Sequence, residues 1–160
     1  MKKLIILFLF ISASLMAQNR SPFANSGHLS ETMGAEMITD GDFSSDTNWS
    51  TATATITGGV AVMDGGGDLL QTADEMQADM EASTTYRCSF DVVDGSIDFQ
   101  NIRSAGGNAR GCEDQTQTFS VGSHYIEFTT PESLLGTGIS FNVNYTTYGD
   151  IDNFSLKKVL

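Results

Sequence analysis

Apolar residues recur at every second position along much of the chain. Tyr86, Cys88, Phe90 and Val92 alternate with Arg87, Ser89 and Asp91. Phe119 with Val121, Ile126 with Phe128, and the series Ile139, Phe141, Val143 repeat the same spacing. A period of two sends one side of a strand to a core and the other to water. The stretch "STATATITGGVAVMDGGGDLLQT" predicts strands joined by tight turns at Gly58-Gly59 and at Gly65 to Gly67. Asp94-Gly95 predicts a hairpin turn. The segment "DEMQADMEA", Asp74 to Ala82, reads as a short helix or as a strand, because Met76, Ala78 and Met80 also keep the period of two. Many short strands with almost no helical pattern predict an all-β protein, an antiparallel β-sandwich.

The start of the chain follows a different rule. Lys2 and Lys3 precede an unbroken apolar run, Leu4 to Ile11, and Ala17 offers a small residue for cleavage. This pattern is that of a secretion signal over residues 1–17, too short for a membrane span of about 20 residues. The chain is expected to be secreted, periplasmic or on the cell surface, without membrane insertion. Residues 18–34 are polar and aperiodic and read as a linker or arm, and residues 35–160 form one domain.

Charge narrows the partners. Against 20 acidic residues stand 8 basic ones, a formal charge of −12, and Lys2 and Lys3 leave with the signal. This balance disfavours nucleic acid and anionic membranes as partners, since both need clustered Lys and Arg, and no nucleic-acid partner is expected. Two cysteines, Cys88 and Cys112, have neither C-x-x-C spacing nor a neighbouring His. After export they are expected to form a disulfide worth about 3 kcal/mol in the chain-entropy model; two separate buried thiols are the alternative.

The two ends of the domain carry a resemblance. "ITDGDFSSDTNW" near its start and "GDIDNFSLKKV" at its finish resemble the opening turn and closing strand of CenC-like carbohydrate-binding modules of families four and nine. "TTYRCSFDV", "TFSVGSHYIEFTTP" and "GISFNVN" are similar to that family's middle strands. The resemblance covers about Glu36 to Leu160 and implies a galactose-binding-like jelly roll. It implies that Phe43 and Trp49 plug one end of the sandwich, although a Trp beside Asn48 and Ser50 also suits a sugar platform. It further implies a structural calcium between the first and last strands. The acid that follows the opening aromatic in that family is Ser44 here, which leaves Asp42 and Asp152 as the candidate ligands. An EF-hand is excluded, because Ser45 stands where that loop needs Gly and Thr51 where it needs Glu.

No catalytic motif is present: there is no G-x-S-x-G, H-E-x-x-H or phosphate-cradling loop, and neither His28 nor His124 has a spaced partner. The chain is therefore expected not to be an enzyme. Strand parity gives a candidate binding face, with Arg87, Asp91, Gln100, Tyr125, Glu127, Asn142 and Asn144 outward. Amides, carboxylates and an Arg suit sugar hydroxyls, and an exposed aromatic covers a sugar's apolar face. The same residues also suit an ordinary solvated face, with Arg87 bridging cross-strand acids. Tyr145 and Tyr148, before the last strand, are further aromatic candidates. Two functions fit: a non-catalytic module that binds glycan or polysaccharide, or an adhesive or structural surface protein that uses the sandwich to assemble with other surface proteins.

Overall fold

A computed structural model describes residues 31–105 and 116–160. The signal, most of the polar arm, His28 and Cys112 lie outside the described residues. The described part is all-β and contains nine strands: β1 (Met33–Glu36), β2 (Ser50–Thr51), β3 (Thr55–Thr57), β4 (Val60–Asp64), β5 (Gly67–Gln71), β6 (Thr85–Ala105), β7 (Gln117–Thr129), β8 (Gly138–Val143) and β9 (Tyr148–Val159). They hydrogen-bond in the order β2-β5-β8-β6-β9-β4-β3, with β1 on β9 and β7 on β6, and the pairings are antiparallel.

The long strand β6 divides this network into two leaves. Its first half, Thr85 to Val92, lies between β7 and β9; its last part, Phe99 to Ala105, pairs with β8. The leaves face one another through aromatic side chains. The Phe141 ring of β8 lies 5.2 Å from Phe90 of β6 and 5.4 Å from Phe154 of β9, centroid to centroid. Tyr86, Cys88, Phe90, Val92, Ile97, Phe99, Ile139 and Phe141 are all buried, as their spacing predicts. The architecture is an antiparallel jelly-roll β-sandwich.

Glycine turns follow local physics, with two departures from the sequence expectation. Gly58 and Gly59 both have positive φ (64° and 82°) and close the β3–β4 hairpin as a two-residue turn should. Gly65 to Gly67 close no hairpin, because β4 and β5 do not pair; the triplet carries the chain from one leaf to the other. Asp94-Gly95 is not a turn either. It lies within β6, at a register shift between Val92 and Ser96, where Gly95 adopts φ 66° opposite Gly149. A Cβ there would come within 2.1 Å of the Tyr148 carbonyl oxygen, so the glycine permits a bulge rather than a reversal. The segment 74–82 is neither helix nor strand. Thr72 and Glu75 bond reciprocally, with Thr72 N–H donating to Glu75 Oε2 (2.7 Å) and Glu75 N–H to the Thr72 carbonyl (3.0 Å). Beyond that turn Met76 and Met80 drop into the core.

The opening stretch wraps around Asp40. Its carbonyl accepts Phe43 N–H (3.1 Å) and the Trp49 indole N–H (2.9 Å), and its carboxylate accepts the Ser44 hydroxyl (2.6 Å) and Ser45 N–H (3.0 Å). Asp40 holds φ 59°, which a short polar side chain tolerates. Phe43 and Trp49 are buried, with centroids 5.1 Å apart, and Trp49 meets Phe154 edge-on at 5.6 Å. Trp49 is thus an anchor of the core and not a sugar platform. On β9, Asn153 (φ 51°) forms a bulge that turns Phe154 N–H toward the Gly41 carbonyl at 2.7 Å. The first turn and the last strand of the domain are clamped main chain to main chain.

Cys88 is fully buried on the core side of β6 and has no sulfur partner among the described residues; the expected disulfide to Cys112 lies outside them. Burial, and then the nearby Glu36 charge, push its pKa upward. Little thiolate forms at neutral pH, so native protein is expected to resist alkylation at Cys88 and to react there once unfolded. Mass spectrometry after an iodoacetamide pulse, with and without denaturant, checks this.

Candidate functional site

The residues proposed from parity separate into two groups on different leaves. Arg87, Asp91, Tyr125 and Glu127 gather on the outer face of β6, β7 and β9. Arg87 opposes Glu127 across the strands and bonds to it through Nε (2.6 Å); a further guanidinium N–H reaches Glu31. Its Cζ sits 4.6 Å from the centre of the Tyr125 ring. The carboxyl of Asp91 is held below its usual range by the Ser123 hydroxyl and then by the Asn153 amide, which donates at 2.8 Å. Any stability that this carboxylate lends is present at neutral pH and fades only as pH falls through its lowered pKa. On this leaf these charged groups are already engaged: Arg87 with Glu31 and Glu127, and Asp91 with Ser123 and Asn153.

Gln100 and Asn142 belong to the other leaf. Cross-strand register identifies its outward residues: Asp68 of β5 opposes Asn142 of β8, which opposes Asn101 of β6; Leu70 opposes Ser140, which opposes Arg103. The decisive local feature is a bulge at Gln100, between the pairs Phe99–Val143 and Asn101–Asn142. An unbroken period from Ile97 and Phe99 would carry Asn101 and Arg103 to the core side. The extra residue reverses the parity, so Ile102 is buried against Phe141 and Arg103 turns outward.

A cleft of about 390 Å³ opens over this face, lined by Ala52, Thr53, Gly67, Asp68, Gln100, Arg103, Asn142, Val143 and Tyr145. Its size is within the range of small-ligand sites. The glycine triplet shapes its wall. A Cβ on Gly66 (φ 92°) would lie 2.7 Å from Tyr145 Cα, and one on Gly67 would lie 2.4 Å from the Thr53 hydroxyl. Only glycine lets the Tyr145 loop and the Thr53 loop approach so closely. Tyr145 stands 82 % exposed at the rim, and its N–H donates to Asn144 Oδ1 (2.8 Å). The Asn142 amide donates to Ser140 Oγ (3.0 Å), and Asp68 Oδ1 accepts Ala52 N–H (3.1 Å). Asn101 is 4 % exposed, and its Oδ1 has no hydrogen-bond partner among the described residues.

Asn144 lines a separate hollow of about 270 Å³ with Asp98 and Thr116 to Thr118. Asp98 is a staple there: its carboxylate accepts the hydroxyls of Thr118 (2.7 Å) and Thr146 (2.9 Å). Asp42 and Asp152 each cap their own turn, accepting Ser44 N–H (3.2 Å) and Asn153 N–H (2.6 Å). No three His, Cys, Asp or Glu side chains converge among the described residues. A calcium ion takes six to eight oxygens, backbone and amide carbonyls among them; Asp42 and Asp152 here are each bonded within their own turn.

The class that the strands define is the antiparallel jelly-roll sandwich, and the solved structures similar to this chain are as follows. A domain of bacteriophage CBA120 tailspike protein 4, described as enzymatically active, superposes with a TM-score of 0.49 at 16% identity over 78% of this chain. The chain spans only 21% of that protein's length. A CBM4 structure gives a TM-score of 0.40 at 14% identity, covering 76% of this chain and 84% of the other. The CBM22-1 xylan-binding domain of Paenibacillus barcinonensis Xyn10C gives 0.40 at 10% identity, covering 81% and 96%. No family model matches the sequence, and no curated protein matches it.

Proposed function

We propose that this chain is an exported, non-catalytic module that binds glycan in the cleft between the Thr53 and Tyr145 loops. The observation that carries the proposal is the composition of that cleft: Gln100, Arg103, Asn142 and Asp68 line one side of a sheet, with the exposed Tyr145 ring at its edge. Sugar hydroxyls need paired donors and acceptors, and a pyranose ring offers an apolar face to an aromatic. Asn101, paired with Asn142 across the strands, is buried, and its Oδ1 has no hydrogen-bond partner among the described residues. The motif resemblance of both domain ends supports the reading, and the signal-like residues 1–17 support export. Arg87, Tyr125 and Glu127 are reassigned in it to a closed surface network that secures β6 to β7. Binding is expected to be modest, because each sugar hydroxyl gives up a good bond to water and the net gain per bond is only about 1 kcal/mol. Titration calorimetry against soluble oligosaccharides tests it: binding is expected from the wild type and from Tyr125→Ala alike, and absence of binding across a broad panel overturns it.

One observation favours the assembly reading. Among the described residues β7 hydrogen-bonds to β6 on one side only, and from Gln117 to Ile126 it carries no Asp, Glu, Lys or Arg to guard the other edge, where Val121 is 61 % exposed. Unguarded edges pair with other chains. If β7 pairs with a second copy, sedimentation will show concentration-dependent dimers that Val121→Lys abolishes; a monomer at every concentration removes this reading.

A further inference from the structure

The four cations among the described residues are unequally used. Arg87 is paired with Glu31 and Glu127, Lys157 approaches Glu36 at 3.9 Å, and Lys158 meets Glu81 at 2.9 Å. Arg103 is the one among them with no carboxylate of the described residues within 4.0 Å, and it faces the cleft beside Gln100, Asn142 and Tyr145. In a chain with formal charge −12, a cation held apart from so many acids is the exception. Asp68, the other charged residue lining the cleft, has Oδ1 committed to Ala52 N–H across the mouth and makes no ion pair with Arg103.

We infer that the cleft selects glycans bearing a carboxylate, with Arg103 as the specificity-determining residue; this rests on the glycan-binding proposal above. A guanidinium presents its N–H groups as a planar fork that matches a carboxylate in two parallel hydrogen bonds, and it is not deprotonated at any working pH. Neutral hydroxyls do not need such a group, and the amides already present at Gln100 and Asn142 suffice for them. A uronate sugar fits both halves of the site: its ring face lies on Tyr145 and its carboxylate meets Arg103. The negative field of the protein opposes such a ligand at a distance, yet screening at physiological salt confines that opposition to about 8 Å. Contact chemistry at Arg103 therefore decides selectivity.

The test compares oligogalacturonate, oligoglucuronate and oligomannuronate with their methyl esters, which keep ring shape and lose the charge. At least one acid is expected to bind about tenfold more tightly than its ester, a ratio that corresponds to about 1.4 kcal/mol. Arg103→Gln, confirmed as folded by an unchanged melting temperature, is expected to lose the preference of acid over ester. Arg103→Lys is expected to fall between, since it keeps the charge and loses the fork. Equal binding of acid and ester by the wild type, or binding of neutral glycans alone, overturns this inference and leaves the glycan-binding proposal standing. Failure of every acid, ester and neutral glycan overturns both.

Discussion

Gly41→Ala is expected to destabilise the domain by at least about 3 kcal/mol, above the common range for an added methyl group. A Cβ at this position would lie 1.9 Å from the Phe154 carbonyl oxygen and 3.1 Å from its carbon. Those are main-chain atoms of a central strand, so no side-chain rotation relieves the contact. Relief requires the opening turn to lift off β9, which breaks the 2.7 Å bond from Phe154 N–H to the Gly41 carbonyl. It also loosens Trp49, which packs on Phe43 and Phe154 and is tied by its indole N–H to the adjacent Asp40. For a domain of this size the melting temperature is expected to fall by about 10 °C or more. Thermal unfolding followed by near-UV circular dichroism checks this, and an unchanged midpoint would show that the clamp is dispensable. Here lies the reason for Gly41 within "ITDGDF": the residue must be bare because the last strand's backbone passes over it.

Tyr145→Ala is expected to weaken glycan binding about tenfold or more, the loss of one stacked aromatic face being worth roughly 1–2 kcal/mol. Stability is expected to change little, because the ring is 82 % exposed and makes no core contact. Tyr125→Ala serves as the control. That ring is also exposed, at 60 %, but lies under Arg87 on the other leaf. Calorimetry with one glycan on the three proteins decides. Equal loss from both variants, or loss from Tyr125→Ala alone, would move the site to the outer face of β6 and β7.

Much of the fold was legible because burial in a sandwich imposes a period of two; Tyr86 to Val92 obey it without interruption, and Ile139, Phe141 and Val143 are buried as it requires, although Ser140 between them is buried too. The candidate site was less legible because it depends on where that period breaks. Nothing in "SIDFQNIRSA" marks Gln100 as the extra residue of a bulge, yet that residue turns Asn101 and Arg103 outward. A signal was nonetheless present. Extending the period from Ile97 would place an arginine in the core and Ile102 in water, a conflict that a bulge resolves. Asp94-Gly95 misled for a related reason. Positive φ at glycine serves a bulge as well as a hairpin, and only the pairing of β7 along both halves of β6 distinguishes them. The glycine triplet reads as a tight turn between neighbouring strands, but it joins β4 to β5, which do not pair, and which strands pair is a long-range property. Asn144 shows the limit of parity at a strand end: one residue past β8 it leaves the cleft for the Asp98 hollow.

The most direct measurement is nuclear magnetic resonance titration of isotopically labelled protein with a glycan that binds. The account predicts that amide and side-chain shifts concentrate at Thr53, Asp68, Gln100, Asn101, Arg103, Asn142 and Tyr145, while Arg87, Asp91, Tyr125 and Glu127 stay unmoved. Shifts confined to the second group would contradict it.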